Sequence, residues 1–352
     1  MSFTIVRQHY TKLFILSLLI VSLYVMTQSM TGGISQFQNQ FLGRTFLLSN
    51  FTRVRLALGD RVFQDALIGK QGWMEYIGDG DLDIYQTSTA TSEKTLIYEQ
   101  QKLQQLYDEL RKRNITLILI IPPNKATIYP ENLPDEIQKP TTQSKLDAFT
   151  AYIQKHGPPV LVDLRPGLLN ERKKHDVYYK TDSHWNGYGI FNAYTAIFKE
   201  LSKTYPQLTP KGDSDFNITT EKPSIHDVPH YISASDVLES DILFTPKDDH
   251  VHWATISNDW IVPIQISTTP DKKLPSLLMY MDSFGAGMKK MIAPHFSQAT
   301  FILNHSTYPD TLSLDMIDAV KPNVVIIEFV ERFFVVKKMD AFLNKLLPNK
   351  KK

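Results

Sequence analysis

Ile115-Thr116-Leu117-Ile118-Leu119-Ile120-Ile121 (ITLILII) runs directly into Pro122 and Pro123. A continuous apolar, β-branched run that does not alternate and stops at proline is the pattern of a strand buried on both faces, as in a parallel sheet. Shorter runs of the same kind follow at 160–162 (VLV), 277–281 (LLMYM), 300–303 (TFIL) and 323–329 (NVVIIEF). Helical stretches are expected between them over 143–156, 288–295 and 312–320. Ahead of them, Leu96, Leu103, Leu106 and Leu110 among charged residues predict a helix over 93–113. Buried strands alternating with helices imply an α/β fold: a right-handed βαβ parallel sheet with helices on both faces. Residues 205–275 break the pattern with turn signals, Trp253, Trp260 and little helical period, and read as an insertion with some antiparallel strand.

The composition excludes several classes. Of 352 residues, 42% are hydrophobic and 21% charged, with 15 Gly and 20 Pro, which leaves no room for collagen-like or long disordered sequence. Lys and Arg number 38 against 37 Asp and Glu, so no overall field favours a polyanion, and no nucleic-acid partner is expected; Lys350 to Lys352 read as a solvated tail. The absence of cysteine rules out disulfides, thiol catalysis and Cys-ligated metal. At the N-terminus, Leu13 to Met26 is uncharged, preceded by Arg7 and Lys12 and followed by no Lys or Arg until Arg44. That asymmetry keeps the short end inside and sends the rest across a membrane. The run is shorter than the roughly 20 residues of a span, but Tyr10 and residues 27–30 extend it as interfacial flanks. No convincing A-x-A site follows, so a retained anchor is favoured over a cleaved signal peptide. The expected organisation is an anchor or signal segment at 1–34, an amphipathic connector and domain start at 35–92, and an α/β domain at 93–345 with its insertion near 205–275.

Ligands of open parallel sheets bind at the carboxyl ends of the strands. The residues there are Asp282-Ser283-Phe284-Gly285, Asn304-His305, Glu331-Arg332, Asn124-Lys125 and, beyond 160–162, Thr181 to Asn186. A serine, a histidine and an aspartate on one rim are the parts of a nucleophilic triad. Ser283 on a strand-to-helix turn can present its hydroxyl while backbone N–H groups face a developing oxyanion, although Asp282 or Ser283 would equally serve as a helix cap. His184 would act as base and Asp182 would fix its tautomer. A D-x-H pair can also ligate metal, but no H-E-x-x-H occurs and His175, His250 and His252 are not spaced as a site, so no metal is expected.

Taken together, D-S-F after a buried strand, D-x-H-W-N-x-x-G (182–189), P-P-N-K-x-x-x-Y-P (122–130) and G-K-x-G-W (69–73) resemble the SGNH-hydrolase-like polysaccharide O-acetyltransferases of the AlgJ/AlgX type, from about residue 35 to 340. The resemblance implies a flavodoxin-like SGNH fold, permuted so that the Asp-x-His block precedes the Asp-Ser block. It also implies Ser283 as nucleophile, His184 as base and Asp182 as its partner. Met281 stands where the family's G-D-S has glycine. Asn304, then Asn124, are the positional candidates for a further oxyanion donor. Lys125 and Arg332 are candidates to bind substrate carboxylates, although Glu331 offers Arg332 a structural ion pair. Trp185, Trp73 and Tyr129 are candidates to stack on sugar. The implied activity is transfer of acetyl through an acetyl-serine to a polysaccharide hydroxyl outside the cytoplasm, with no soluble cofactor. A membrane-bound O-acyltransferase partner would supply the acetyl group. A polysaccharide acetylesterase would use the same residues, and a non-catalytic scaffold of an export complex would need none of them.

Overall fold

The computed structural model describes residues 19–20, 23–24, 27, 44–80, 85–86, 91–137, 143–257, 264–303, 312–335 and 338–347. The chain divides into two compact units. One comprises residues 1–60 with 232–234, and the other is the remainder. In the first, helix α1 (Arg44–Ala57) carries the apolar residues expected of the connector, and Thr52 Oγ1 donates to the Ile232 carbonyl.

In the larger unit the strands are β1 (Ala66–Ile68), β2 (Met74–Tyr76), β3 (Thr116–Ile120), β4 (Leu161–Val162), β5 (Phe216–Thr220), β6 (Ile242–Pro246), β7 (His252–Ser257), β8 (Ile264–Thr268), β9 (Ser276–Met281), β10 (Gln298–Leu303) and β11 (Val324–Glu328). The main sheet has the order β4-β3-β11-β9-β10-β8-β7. All five expected strands lie side by side in it and are parallel from β4 to β10.

Burial on both faces explains the unbroken apolar runs. Ile118, Ile120, Leu277, Met279, Val324 and Ile326 belong to one core, while Leu117, Leu119, Leu278, Tyr280, Val325 and Ile327 belong to the other. The second core is covered by helices α2 (Glu93–Arg111) and α3 (Lys145–His156), the first by α4 (Gly187–Leu201). α2 and α3 start on serine caps, Ser92 and Ser144, the latter in a full capping box with Asp147.

The insertion is organised in two ways. β5 and β6 form their own antiparallel pair, whereas β8 pairs antiparallel with β10 and β7 with β8, so the main sheet is extended. Without β8, β10 would present an open edge of unpaired backbone groups. Between β5 and β6 lies a one-turn helix, α5 (Asp227–Tyr231). Among the described residues no helix is long and apolar enough to cross a membrane. Most of the 13–26 run and the Asn304 position lie outside the described residues.

Candidate active site

The carboxyl ends of β3, β9 and β11 deliver Asn124, Ser283 and Glu328 to one rim, and the loop entering α4 brings His184 to the same place. Asp182 and His184 precede Ser283 by about a hundred positions in the chain, but Ser283 Oγ lies 2.8 Å from His184 Nε2. His184 Nδ1 lies 2.6 Å from Asp182 Oδ1, and the same oxygen accepts the His184 N–H at 2.9 Å. This arrangement fixes the imidazole with Nδ1 as donor and leaves Nε2 free to accept from the serine hydroxyl. Ser283 is exposed, and His184 is part-buried with its ring 4.7 Å from that of Phe284. Burial pushes the Asp182 carboxyl up, but the His184 hydrogen bond and charge outweigh it and hold it at about 2.

Sequence reading missed a second carboxylate. Asp227 on α5 accepts the Ser183 N–H at 2.8 Å and also takes the Ser183 hydroxyl, and its Oδ2 stands 3.8 Å from His184 Nδ1. Burial and then the charge of Asp182 push Asp227 up. No local motif marks it, because it lies in the insertion. Asp182, His184 and Asp227 each offer a potential metal-ligating atom within 4.8 Å of the others. Those groups are already engaged: both His184 nitrogens and both Asp227 oxygens take part in the hydrogen bonds above. The loop before them is held by Glu239, which accepts from the N–H groups of Lys180 (3.0 Å) and Thr181 (2.8 Å) and from the Thr181 hydroxyl.

The turn holding Ser283 starts α6 (Ser283–Ala286), capped by Asp282. Asp282 Oδ1 accepts the Phe284 N–H at 2.8 Å, and Gly285 N–H goes to Glu328 Oε2 at 3.1 Å. Those two amides are therefore engaged. Among the described residues no hydrogen bond engages the Ser283 N–H, which leaves it as the available donor toward an oxyanion.

Several expected binding residues turn out to be structural. Lys125 is buried, and its ammonium donates to the carbonyls of Met74, Tyr179 (3.2 Å), Lys180 (3.2 Å) and Asp182 (2.8 Å), so it cannot reach a substrate carboxylate. Trp185 is buried in the core with Nε1 donating to the Phe284 carbonyl, and Trp73 and Tyr129 are buried with their ring centroids 4.5 Å apart. None of the three presents a face to a sugar. Asn124 ties β3 to β11: its N–H donates to Glu331 and its Oδ1 accepts the Arg332 N–H at 3.3 Å. Glu331 bonds Asn124 and Thr127 rather than Arg332. The buried Arg332 guanidinium instead lies over the rings of Tyr76 (5.4 Å), Phe284 (5.3 Å) and Phe333 (5.4 Å).

The mostly parallel sheet covered on both faces has an SGNH-hydrolase-like fold, here with Asp182 and His184 ahead of Ser283 in the chain. Within it the chain resembles the AlgJ/AlgX type: residues 66–237 match the family described as SGNH hydrolase-like domain, acetyltransferase AlgX. The probable alginate O-acetylase AlgJ of Pseudomonas syringae pv. tomato is 24% identical over 207 residues, 57% of this chain and 50% of that protein. The chain spans about half or less of the length of the curated relatives it matches. Bacillus cereus PatB1 superposes with a TM-score of 0.57 at 16% identity, covering 76% of this chain and 96% of that one. The O-acetyltransferase domain of Pseudomonas putida AlgJ superposes at 0.51 with 17% identity, covering 78% and 99%.

Proposed function

We propose that this protein is an O-acetyltransferase that moves acetyl through an acetyl-serine onto hydroxyls of an exopolysaccharide or cell-envelope polysaccharide. The observation that carries this reading is the continuous Ser283–His184–Asp182 hydrogen-bond chain, 2.8 Å and 2.6 Å, ending on an exposed serine. In the first half-reaction Ser283 Oγ attacks the acetyl carbonyl while its proton passes to His184 Nε2. The Ser283 N–H faces the oxyanion, and the tetrahedral adduct collapses as the leaving group takes the proton from His184. In the second, a sugar hydroxyl gives its proton to His184 and attacks the acetyl-serine, and collapse returns the proton to Ser283. Asp182 stays ionised throughout and stabilises the imidazolium. The charge asymmetry around the 13–26 run supports an anchor in the cytoplasmic membrane with the catalytic domain outside the cytoplasm. There a membrane-bound O-acyltransferase would deliver the acetyl group, because no soluble donor is at hand. The family match and the likeness to a probable alginate O-acetylase support the acetyl chemistry and the polysaccharide acceptor.

The test is incubation of the purified protein with an activated acetyl ester and a panel of oligosaccharides, alongside Ser283→Ala. Acetylated sugar formed by the wild type and lost by about 1,000-fold or more in the variant is the expected result. Free acetate with no acetylated sugar at any acceptor concentration would make the protein an esterase. No turnover and no acetyl-serine by mass spectrometry would leave a scaffold.

A further inference from the structure

Glu328 closes β11, otherwise an apolar strand, and is 0% exposed. A buried carboxyl is costly unless it is bonded, and the bonds of this one converge on a single place. Its Oε2 accepts the N–H of Asp282 at 2.8 Å and of Gly285 at 3.1 Å. The neighbouring Asp282 carboxylate accepts the N–H of Phe284 and of Val330, each at 2.8 Å. The two acids thus hold three amides flanking Ser283 and tie the turn to the chain just past Glu328. The fit leaves no slack. A Cβ at Gly285 would stand 2.6 Å from Glu328 Oε2 and 2.5 Å from Met281 Cβ, so the glycine lets the acid reach the turn.

We propose that Glu328 is a positioning residue for the acyl-transfer reaction, fixing the backbone of the Ser283 turn through the Asp282 and Gly285 amides. The inference rests on the reading of Ser283 as nucleophile. By engaging the Gly285 N–H, while Asp282 engages that of Phe284, Glu328 also selects the Ser283 N–H as the amide left for an oxyanion. Burial first, and then the charge of Asp282, push Glu328 well above the usual carboxylate range. Glutamine has the same shape and its amide oxygen can accept the same two amides, so it should replace Glu328; methionine fills the volume but accepts neither amide.

The experiment measures sulfonylation of Ser283 by an aryl sulfonyl fluoride, followed by intact mass, together with kcat and KM for an activated acetyl ester. Wild type, Ser283→Ala, Glu328→Gln and Glu328→Met are compared. Glu328→Gln should stay within about threefold of wild type. Glu328→Met should lose about 100-fold in labelling rate and kcat, the scale of a nucleophile displaced by an ångström, with KM within about twofold and near-UV circular dichroism retained. Labelling of Glu328→Met at the wild-type rate overturns the assignment, as does Glu328→Gln falling with Glu328→Met. A methionine variant that fails to fold where the glutamine variant folds makes Glu328 a residue of the fold alone and also overturns it. If wild type takes up no sulfonyl group at Ser283, the nucleophile reading itself falls, and the positioning role with it.

Discussion

Lys125 carries its positive charge into the interior, where it is met by backbone dipoles: four carbonyls, including that of Asp182, converge on its Nζ. It therefore pins the segment that presents Asp182 and His184 to β2 and to the end of β3. Replacing it by methionine removes the ammonium donor from all four carbonyls; the Lys180 carbonyl keeps the Met74 N–H at 2.7 Å, but one buried unsatisfied group among the others alone costs about 1–3 kcal/mol. Lys125→Met should lower stability by about that much or more, read from the urea midpoint, and lower kcat with KM little changed. A variant with wild-type stability and a raised KM would restore Lys125 to substrate binding. Lysine at the carboxyl end of a buried strand looks like a ligand-binding residue in sequence, because exposure is not written locally. The same blindness applied to Trp185. That Ser283, His184 and Asp182 meet was legible because a serine, a histidine and an aspartate stand where buried strands end, whereas Asp227 meets His184 only through the tertiary placement of α5. Glu328 did leave a signal: a lone acid at the end of NVVIIEF breaks an apolar run that otherwise tolerates none.

The start of α4 shows how an element aims a side chain. Asn186 caps the helix, its Oδ1 accepting from the N–H groups of Tyr188 (3.0 Å) and Gly189 (3.2 Å), while its Nδ2 donates to the Asp176 carbonyl at 2.7 Å. Close packing demands the two glycines: a Cβ at Gly187 would stand 2.3 Å from the Ile242 carbonyl oxygen, and one at Gly189 2.2 Å from that of Val177. Two residues before the cap sits His184, so the helix start sets where the imidazole lies. Asn186→Ala should cost about 1–2 kcal/mol by thermal or urea unfolding, with a larger proportional loss of turnover than of stability. Full turnover would show that the loop holds His184 without the cap. Four of the five parallel strands, β3, β9, β10 and β11, were readable because burial on both faces writes an unbroken apolar run, while β4 is a half-buried pair of residues at the sheet edge. β7 and β8 were not placed, because an edge strand half exposed to solvent alternates weakly, and its pairing with β10 is a long-range choice.

Across the whole molecule, two buried titratable groups on different elements oppose one another in their response to pH. His295, its ring tilted against that of Phe198 with centroids 4.2 Å apart and bonded to the Tyr194 hydroxyl at 2.8 Å, is pushed down from 6.5 to about 4, first by burial and then by the charge of Lys211. Its folded pKa is depressed, so the unfolded chain takes up the proton first: the native state has the full benefit above 6.5 and loses it progressively toward 4, by about 3 kcal/mol. Glu75 on β2 is pushed up from 4.5 to about 7 by burial, partly offset by the charge of Lys125. Its folded pKa is raised, so the native state binds the proton first. The benefit is full below 4.5 and lost as pH rises through 7, again by about 3 kcal/mol. Asp182 and Glu239, each held at about 2, contribute above the carboxylate range and lose that contribution only below about 4, so they leave the window from 4.5 to 6.5 to His295 and other raised or lowered groups. Because His295 and Glu75 nearly cancel, the wild-type profile conceals both, and single variants expose them. Urea midpoints at pH 7 and pH 4.5 should show His295→Gln gaining about 2–3 kcal/mol relative to wild type on acidification, and Glu75→Gln losing a similar amount. Parallel shifts of all three proteins would mean that neither group titrates differently in the folded and unfolded chain.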